Sequence, residues 1–140
     1  VHGGLPLRGE ITPSANKNAV LPILCATLLT DQPLRLIGVP EITDVKKILE
    51  VFRMLGSDVS MDFTTGILEL HHHATTFDPV RHHLPEEMRS SIMLVPPFLA
   101  RFGVARLEND VKGCTLGVRE IDPHVEVFER FGAGIERTIG

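Results

Sequence analysis

The hydrophobic and polar positions of this chain change period several times, and each change predicts an element. Leu5 to Ile11 alternates as a strand does. From Lys17 onward the spacing becomes helical. Ala19, Ile23, Ala26 and Leu29–Thr30 read as the buried face of a helix, with Ser14 or Asn16 as possible caps. "LRLIGV" is a short apolar strand. "ITDVKKILEVFRMLGSD" follows as an amphipathic helix in which Val45, Ile48, Leu49, Phe52 and Leu55 share a face. Thr43 is placed to cap its start and Gly56 to close its end. "DVSMDFTTGILELH" predicts a hairpin with its turn at Thr64–Gly66.

The second half repeats this order. "PEEMRSSIMLVPPFLARFG" is mostly helical, with Pro96 and Pro97 required to kink or break it. "VARLEN" predicts a strand. "DPHVEVFERFGAGIE" predicts a helix with Asp122 as cap, Pro123 at its first position and Gly132 as stop. Leu55-Gly56-Ser57-Asp58-Val59 matches Phe131-Gly132-Ala133-Gly134-Ile135 at an offset of 76 positions, and Pro22 matches Pro96 at an offset of 74. A unit repeated at this spacing is a supersecondary block that stacks on its own copy. Because the second copy stops before the closing hairpin of the first, the chain reads as a fragment.

Composition narrows the function. With 43% hydrophobic residues the chain can form a core, and a formal net charge of -4 without a long basic run argues against nucleic-acid binding. No stretch is apolar enough to span a bilayer, and no secretory signal opens the chain. Cys25 and Cys114 make no disulfide framework, so a soluble, cytoplasmic protein with reduced thiols is expected.

Anion recognition must therefore come from a few placed cations. Lys17 and Asn18 stand where a loop enters a helix, where free backbone N–H groups and a partial positive charge favour an anion; a plain solvated helix start is the alternative. Arg89 precedes an apolar stretch and reads either as a snorkelling side chain or as a phosphate or carboxylate clamp. Cys114 lies in a glycine-bearing loop between Lys112 and Arg119, neighbours that lower a thiol pKa, although the local sequence by itself leans slightly toward an inert, half-exposed cysteine. Cys25, inside "ILCATLL", belongs to the core. Asp122 and His124 open the last helix, where Asp122 caps the backbone and could also accept hydrogen bonds from a sugar or uracil ring. His71, His72 and His73 lie at the end of a strand and His82 and His83 in a loop. None has a Cys, Asp or Glu partner at a zinc-like sequence spacing, so no metal site is predicted.

The stretches "LRGEITPSANKNAVLPILCATLL", "VPEITDVKKILEVFRMLGSDV", "MRSSI", "LARFGVARL" and "GCTLGVREIDPHVEVFERFGAGIE" run through nearly the whole chain. In that order they resemble the N-terminal third of the UDP-N-acetylglucosamine enolpyruvyl transferases, within the superfamily of EPSP synthase-like folds. The resemblance implies an α+β fold of repeated βαβαββ units, an inverse α/β barrel, of which this chain holds about two of one domain's three units. Residues 1–15 would be a strand segment belonging to the other domain. Residues 16–140 would form a partial domain, with one repeat over about 16–73 and a second, truncated one over about 84–140.

The implied reaction moves the enolpyruvyl group of phosphoenolpyruvate to the 3′-hydroxyl of UDP-N-acetylglucosamine and releases phosphate, the first committed step of peptidoglycan synthesis. The resemblance gives Lys17 to phosphoenolpyruvate, Asn18 to the sugar, Arg89 and Arg119 to anionic groups and Asp122 to the uridine part, with His124 beside it. It makes Cys114 the proton-donating thiol that fosfomycin alkylates. It implies no cofactor or metal, no nucleic-acid or membrane partner, and dependence on the rest of the enzyme chain. The chain departs from the family pattern at Lys112, Glu120, Pro123 and the "SANKNA" stretch. A transferase using another acceptor and a non-catalytic nucleotide-sugar-binding paralogue are the alternative readings.

Overall fold

The structure is a computed structural model that describes residues 4, 6, 8–13, 15–82, 89–107 and 122–136, with the backbone alone at residues 89 and 90. Helix α1 (Lys17–Thr27) leads into strand β1 (Leu34–Ile37), helix α2 (Thr43–Met54) and the hairpin β2 (Asp58–Asp62) and β3 (Ile67–His71). A 3-10 helix (Arg89–Leu94) runs directly into α3 (Val95–Phe102), and α4 (Asp122–Arg130) comes last. This mixture of helices with an open antiparallel sheet is the α+β class the sequence predicts, with the strands in the order β1-β3-β2.

Alternation along each strand decides which face of the sheet is covered. Leu34 and Leu36 of β1, Val59 and Met61 of β2, and Leu68 and Leu70 of β3 turn toward the helices. Arg35, Asp58, Ser60, Asp62 and Glu69 face outward. Helices α1 and α2 close the inner face, where Leu24, Val45, Ile48, Phe52 and Phe98 are fully buried. Removing a ring such as Phe52 from a core of this kind costs about 3–5 kcal/mol. The hairpin turn is fixed by Asp62, whose carboxylate accepts from the Thr65 hydroxyl at 2.7 Å and the Thr64 N–H at 2.9 Å. Those two bonds, Thr65 first, hold the Asp62 carboxyl below its ordinary range.

Three expectations are corrected. The buried face of α1 consists of Val20, Leu21, Leu24, Cys25 and Leu28, while Ala19, Ala26, Ile23 and Leu29 are exposed. The helix is apolar nearly all round, so its pattern alone does not choose a face; packing on α2 does. The α2 N-cap is Ile42, without a side-chain bond, and Thr43 is already helical. Neither the described part of Leu5–Ile11 nor Val104–Leu107 joins the sheet, since an alternating segment becomes a strand only where a neighbour supplies hydrogen bonds. Pro96 and Pro97 do break the helical stretch, as expected: the 3-10 segment ends just before them and they occupy the first turn of α3, where a missing N–H costs little.

The repeated "Gly" ends close alike. Gly56 and Gly132 both have φ of 93°, a left-handed conformation that a side chain rarely adopts. Ser57 N–H donates to Phe52 O at 2.9 Å, and Ala133 N–H donates to Phe128 O at 3.0 Å, the same helix-ending bond 76 positions later.

One polar group sits at the centre of the core. His72 is fully buried, its ring edge-on to Phe52 at a centroid separation of 4.9 Å. Thr27 Oγ1 gives its hydrogen to Leu24 O at 2.6 Å, so it accepts from His72 Nε2–H at 3.0 Å. Nδ1 is then the bare nitrogen, accepting from the Ser57 hydroxyl at 2.7 Å. Arg101 braces the same region by donating to His72 O, to Leu28 O at 2.8 Å and to Thr75 Oγ1 at 2.6 Å, while pairing with Asp31.

Burial, helped by the nearby Arg101 charge, pushes the His72 imidazole down to about 4 from 6.5. Between those values the unfolded chain binds one more proton than the folded one. Stability is therefore complete above pH 6.5 and falls by about 3 kcal/mol on acidification to about pH 4. Urea titrations at pH 7.5, 5.5 and 4 should show this loss, and His72→Gln should flatten that part of the profile. Arg101→Met should cost about 1–3 kcal/mol by leaving Leu28 O and His72 O without their donor. Arg101→Lys should recover little, because a single ammonium cannot reproduce the fork.

Candidate functional site

The start of α1 is built as a capped helix terminus. Asn16 has extended backbone, and its side-chain Oδ1 accepts from Asn18 N–H at 2.8 Å, while its carbonyl receives Val20 N–H at 3.0 Å. This makes Asn16 the cap among the two candidates; Ser14 lies outside the described residues. Lys17 and Asn18 are the first two helical residues, both exposed, and no acid stands in this first turn. The positive end of the helix dipole and the Lys17 ammonium thus reinforce each other.

Lys17 Nζ reaches across to the carboxylate of Asp44 in the first turn of α2. The pair is more than half exposed on the lysine side, at 58%. It positions the ammonium without contributing much stability. A shallow, largely apolar groove of about 180 Å³, lined by Ala15, Asn16, Ala19, Ile23, Leu36 and Gly38, lies between α1 and the end of β1. A small anion at the start of α1 would meet the free N–H groups of its first turn, with the Lys17 ammonium on the same turn. Asp44 is the residue that sequence reasoning missed, although an acid in the first turn of an amphipathic helix was visible.

The other predicted residues are distributed along the chain. The backbone of Arg89 opens the 3-10 helix, which packs against α1. Asp122 and His124 lie in the first turn of α4, both exposed, with Asp122 as the first helical residue. Cys114 and Arg119 lie outside the described residues. Cys25, by contrast, is 3% exposed, and burial pushes its thiol up to about 12, so it is inert at neutral pH. On the outer sheet face Asp58, His71 and His73 come together, a carboxylate partner that sequence spacing concealed because it arrives from the opposite strand.

The chain is 40% identical over 96% of its length to proteins named UDP-N-acetylglucosamine 1-carboxyvinyltransferase from Xylella fastidiosa strains M23 and Temecula1, and spans about a third (32%) of their length. The crystal structure of the enolpyruvyl transferase NikO from Streptomyces tendae superimposes with a TM-score of 0.73 at 26% identity, covering 98% of this chain and 29% of that one. The sequence profile of EPSP synthase (3-phosphoshikimate 1-carboxyvinyltransferase) matches residues 1–139. A match through almost the entire chain, joined to the shared fold, makes this protein a member of the EPSP synthase family.

Proposed function

We propose that this chain supplies part of an enolpyruvyl transferase that moves the enolpyruvyl group of phosphoenolpyruvate to the 3′-hydroxyl of UDP-N-acetylglucosamine and releases phosphate. The observation that carries the reading is the α1 start: an exposed Lys17-Asn18 pair on an N-capped helix, within a chain 40% identical to proteins of that name. Substrate and leaving group are both anionic, so a site for them needs fixed positive charge that is in place before they arrive. The dipole of α1 and the Lys17 ammonium meet that need.

Roles follow for the remaining residues. Lys17 binds phosphoenolpyruvate, and Asn18 contacts the sugar. Arg89 and Arg119 hold anionic groups, Arg119 chiefly on the phosphoenolpyruvate side. Asp122 receives the uridine part, with His124 beside it. Cys114 donates the proton to the phosphoenolpyruvate methylene from its loop and is the thiol open to fosfomycin. The enzyme works in the cytoplasm as a step of peptidoglycan synthesis, and the 140 residues alone do not turn over, because the site is completed by the rest of the enzyme chain.

The protein, in the longest form its gene encodes, is expected to release phosphate from phosphoenolpyruvate when UDP-N-acetylglucosamine is present. Cys114→Ser should lower kcat by about 10²–10⁴-fold, the usual worth of a positioned proton donor, and Lys17→Ala should raise the KM for phosphoenolpyruvate. Phosphate release with shikimate 3-phosphate instead would reassign the acceptor. Release with neither acceptor would overturn the enzyme reading in favour of a binding paralogue. Mass spectrometry after fosfomycin treatment should place the adduct on Cys114 and leave Cys25 unmodified.

A further inference from the structure

The outer face of the sheet holds a cluster that the reaction does not use. Asp58, first residue of β2, pairs across the ladder with His71, last residue of β3. His73 lies two residues further on, and its ring meets that of His71 at a centroid distance of 4.3 Å and an interplanar angle of 39°. His73 Nδ1 is 3.6 Å from Asp58 Oδ2, and one ligand atom from each of the three residues lies within 4.8 Å of the others. Among the described residues, no hydrogen bond engages the His71 ring nitrogens.

The convergence is enforced by the core. His72 is held inward by Thr27 and Ser57, so the alternation of extended chain sends its two neighbours outward together. The ladder fixes Asp58 opposite the first of them. The backbone is thereby set before any ligand arrives, and only exposed side-chain torsions remain to adjust. Tetrahedral coordination at the usual bond lengths places ligand atoms about 3.4 Å apart, so a modest rotation of Asp58 and His73 closes the set.

We propose that Asp58, His71 and His73 form a binding site for a divalent transition-metal ion of the zinc or nickel class, with water completing its coordination. Two imidazole nitrogens and one carboxylate oxygen suit such ions, whereas magnesium and calcium favour all-oxygen sets. The bound ion ties the entry of β2 to the exit of β3 and so clamps the segment carrying His72. This role is independent of enolpyruvyl transfer.

The test is calorimetric titration of the metal-stripped protein with zinc chloride and, separately, magnesium chloride, alongside thermal melts. One equivalent of zinc should bind and raise the Tm, with magnesium without effect. His71→Ala and His73→Ala should each weaken zinc binding by about tenfold or more, given that even outer partners of a metal site are worth ~10–100-fold. Asp58→Asn should weaken it less. Asp58 and His73 are exposed and His71 is half-buried, outside the core, which predicts metal-free melts close to wild type and separates loss of a ligand from loss of the fold. His82→Ala, outside the cluster, should bind zinc normally. Zinc binding that persists in the His71→Ala/His73→Ala double variant, as it would if a cysteine carried it, overturns the proposal. So does the absence of saturable zinc binding to the folded wild type.

Discussion

A neutral imidazole in the middle of the apolar core is the constraint on which this fold turns. Burying the His72 ring without partners would cost several kcal/mol, so each nitrogen must find a group of opposite hydrogen-bonding sense. Thr27 comes from the end of α1 and Ser57 from the turn after α2. Both helices must therefore end where they do, and the hairpin must deliver His72 between them. The Gly56 turn, with its left-handed backbone, puts Ser57 there; a Cβ at Gly56 would also stand only 3.3 Å from Ala74 O. Arg101 locks the outer side of the arrangement from α3 by binding the carbonyls of Leu28 and His72. One residue thus couples α1, the exit of α2, β3 and α3, by its ring to the first two and by its carbonyl to Arg101.

Elements with a strong period and matching end signals were legible in the sequence. Helix α2 joins an apolar stripe to a glycine stop, and the hairpin joins two alternating runs through Asp62-Phe63-Thr64-Thr65-Gly66; both form close to the expected bounds. The face of α1 was not legible, because an almost wholly apolar helix lets tertiary packing choose which side is covered. The segments around Leu5–Ile11 and Val104–Leu107 were read as strands on alternation, which specifies a face but not a partner. His72 was hidden in a triplet of identical residues. Only the inward alternation of β3 separates it from His71 and His73, and composition cannot show that.

The two matching helix ends were legible because their punctuation is backbone chemistry. A helix closed by a left-handed glycine needs that glycine at one position and a bond from the next residue's N–H, and both recur 76 positions later. Burial does not recur with them. Leu55 is 1% exposed, whereas its counterpart Phe131 is 89% exposed, and α4 buries none of its residues. Local geometry is thus written within each helix end, while core formation depends on what each helix packs against.

The candidate site was legible at the level of residue types and only partly at the level of geometry. Lys17 beside a helix start pointed to an anion, but the sequence did not reveal that Asp44 already holds the ammonium. That pairing does not neutralise the site. Asp44 lies in the first turn of α2, so its charge is shared between that helix's own positive end and Lys17. The first turn of α1 has no acid, so the positive end of its dipole has no carboxylate within its own helix. An anion arriving beside Asn16 and Lys17 therefore adds to an existing arrangement. It meets α1's dipole directly and an ammonium already oriented by Asp44. At this exposure solvent screens both charges, so the pair can loosen at small cost when a phosphate or carboxylate competes for the same ammonium. An exposed lysine held by one weak ion pair is better suited to repeated binding and release than one buried in a strong ion pair.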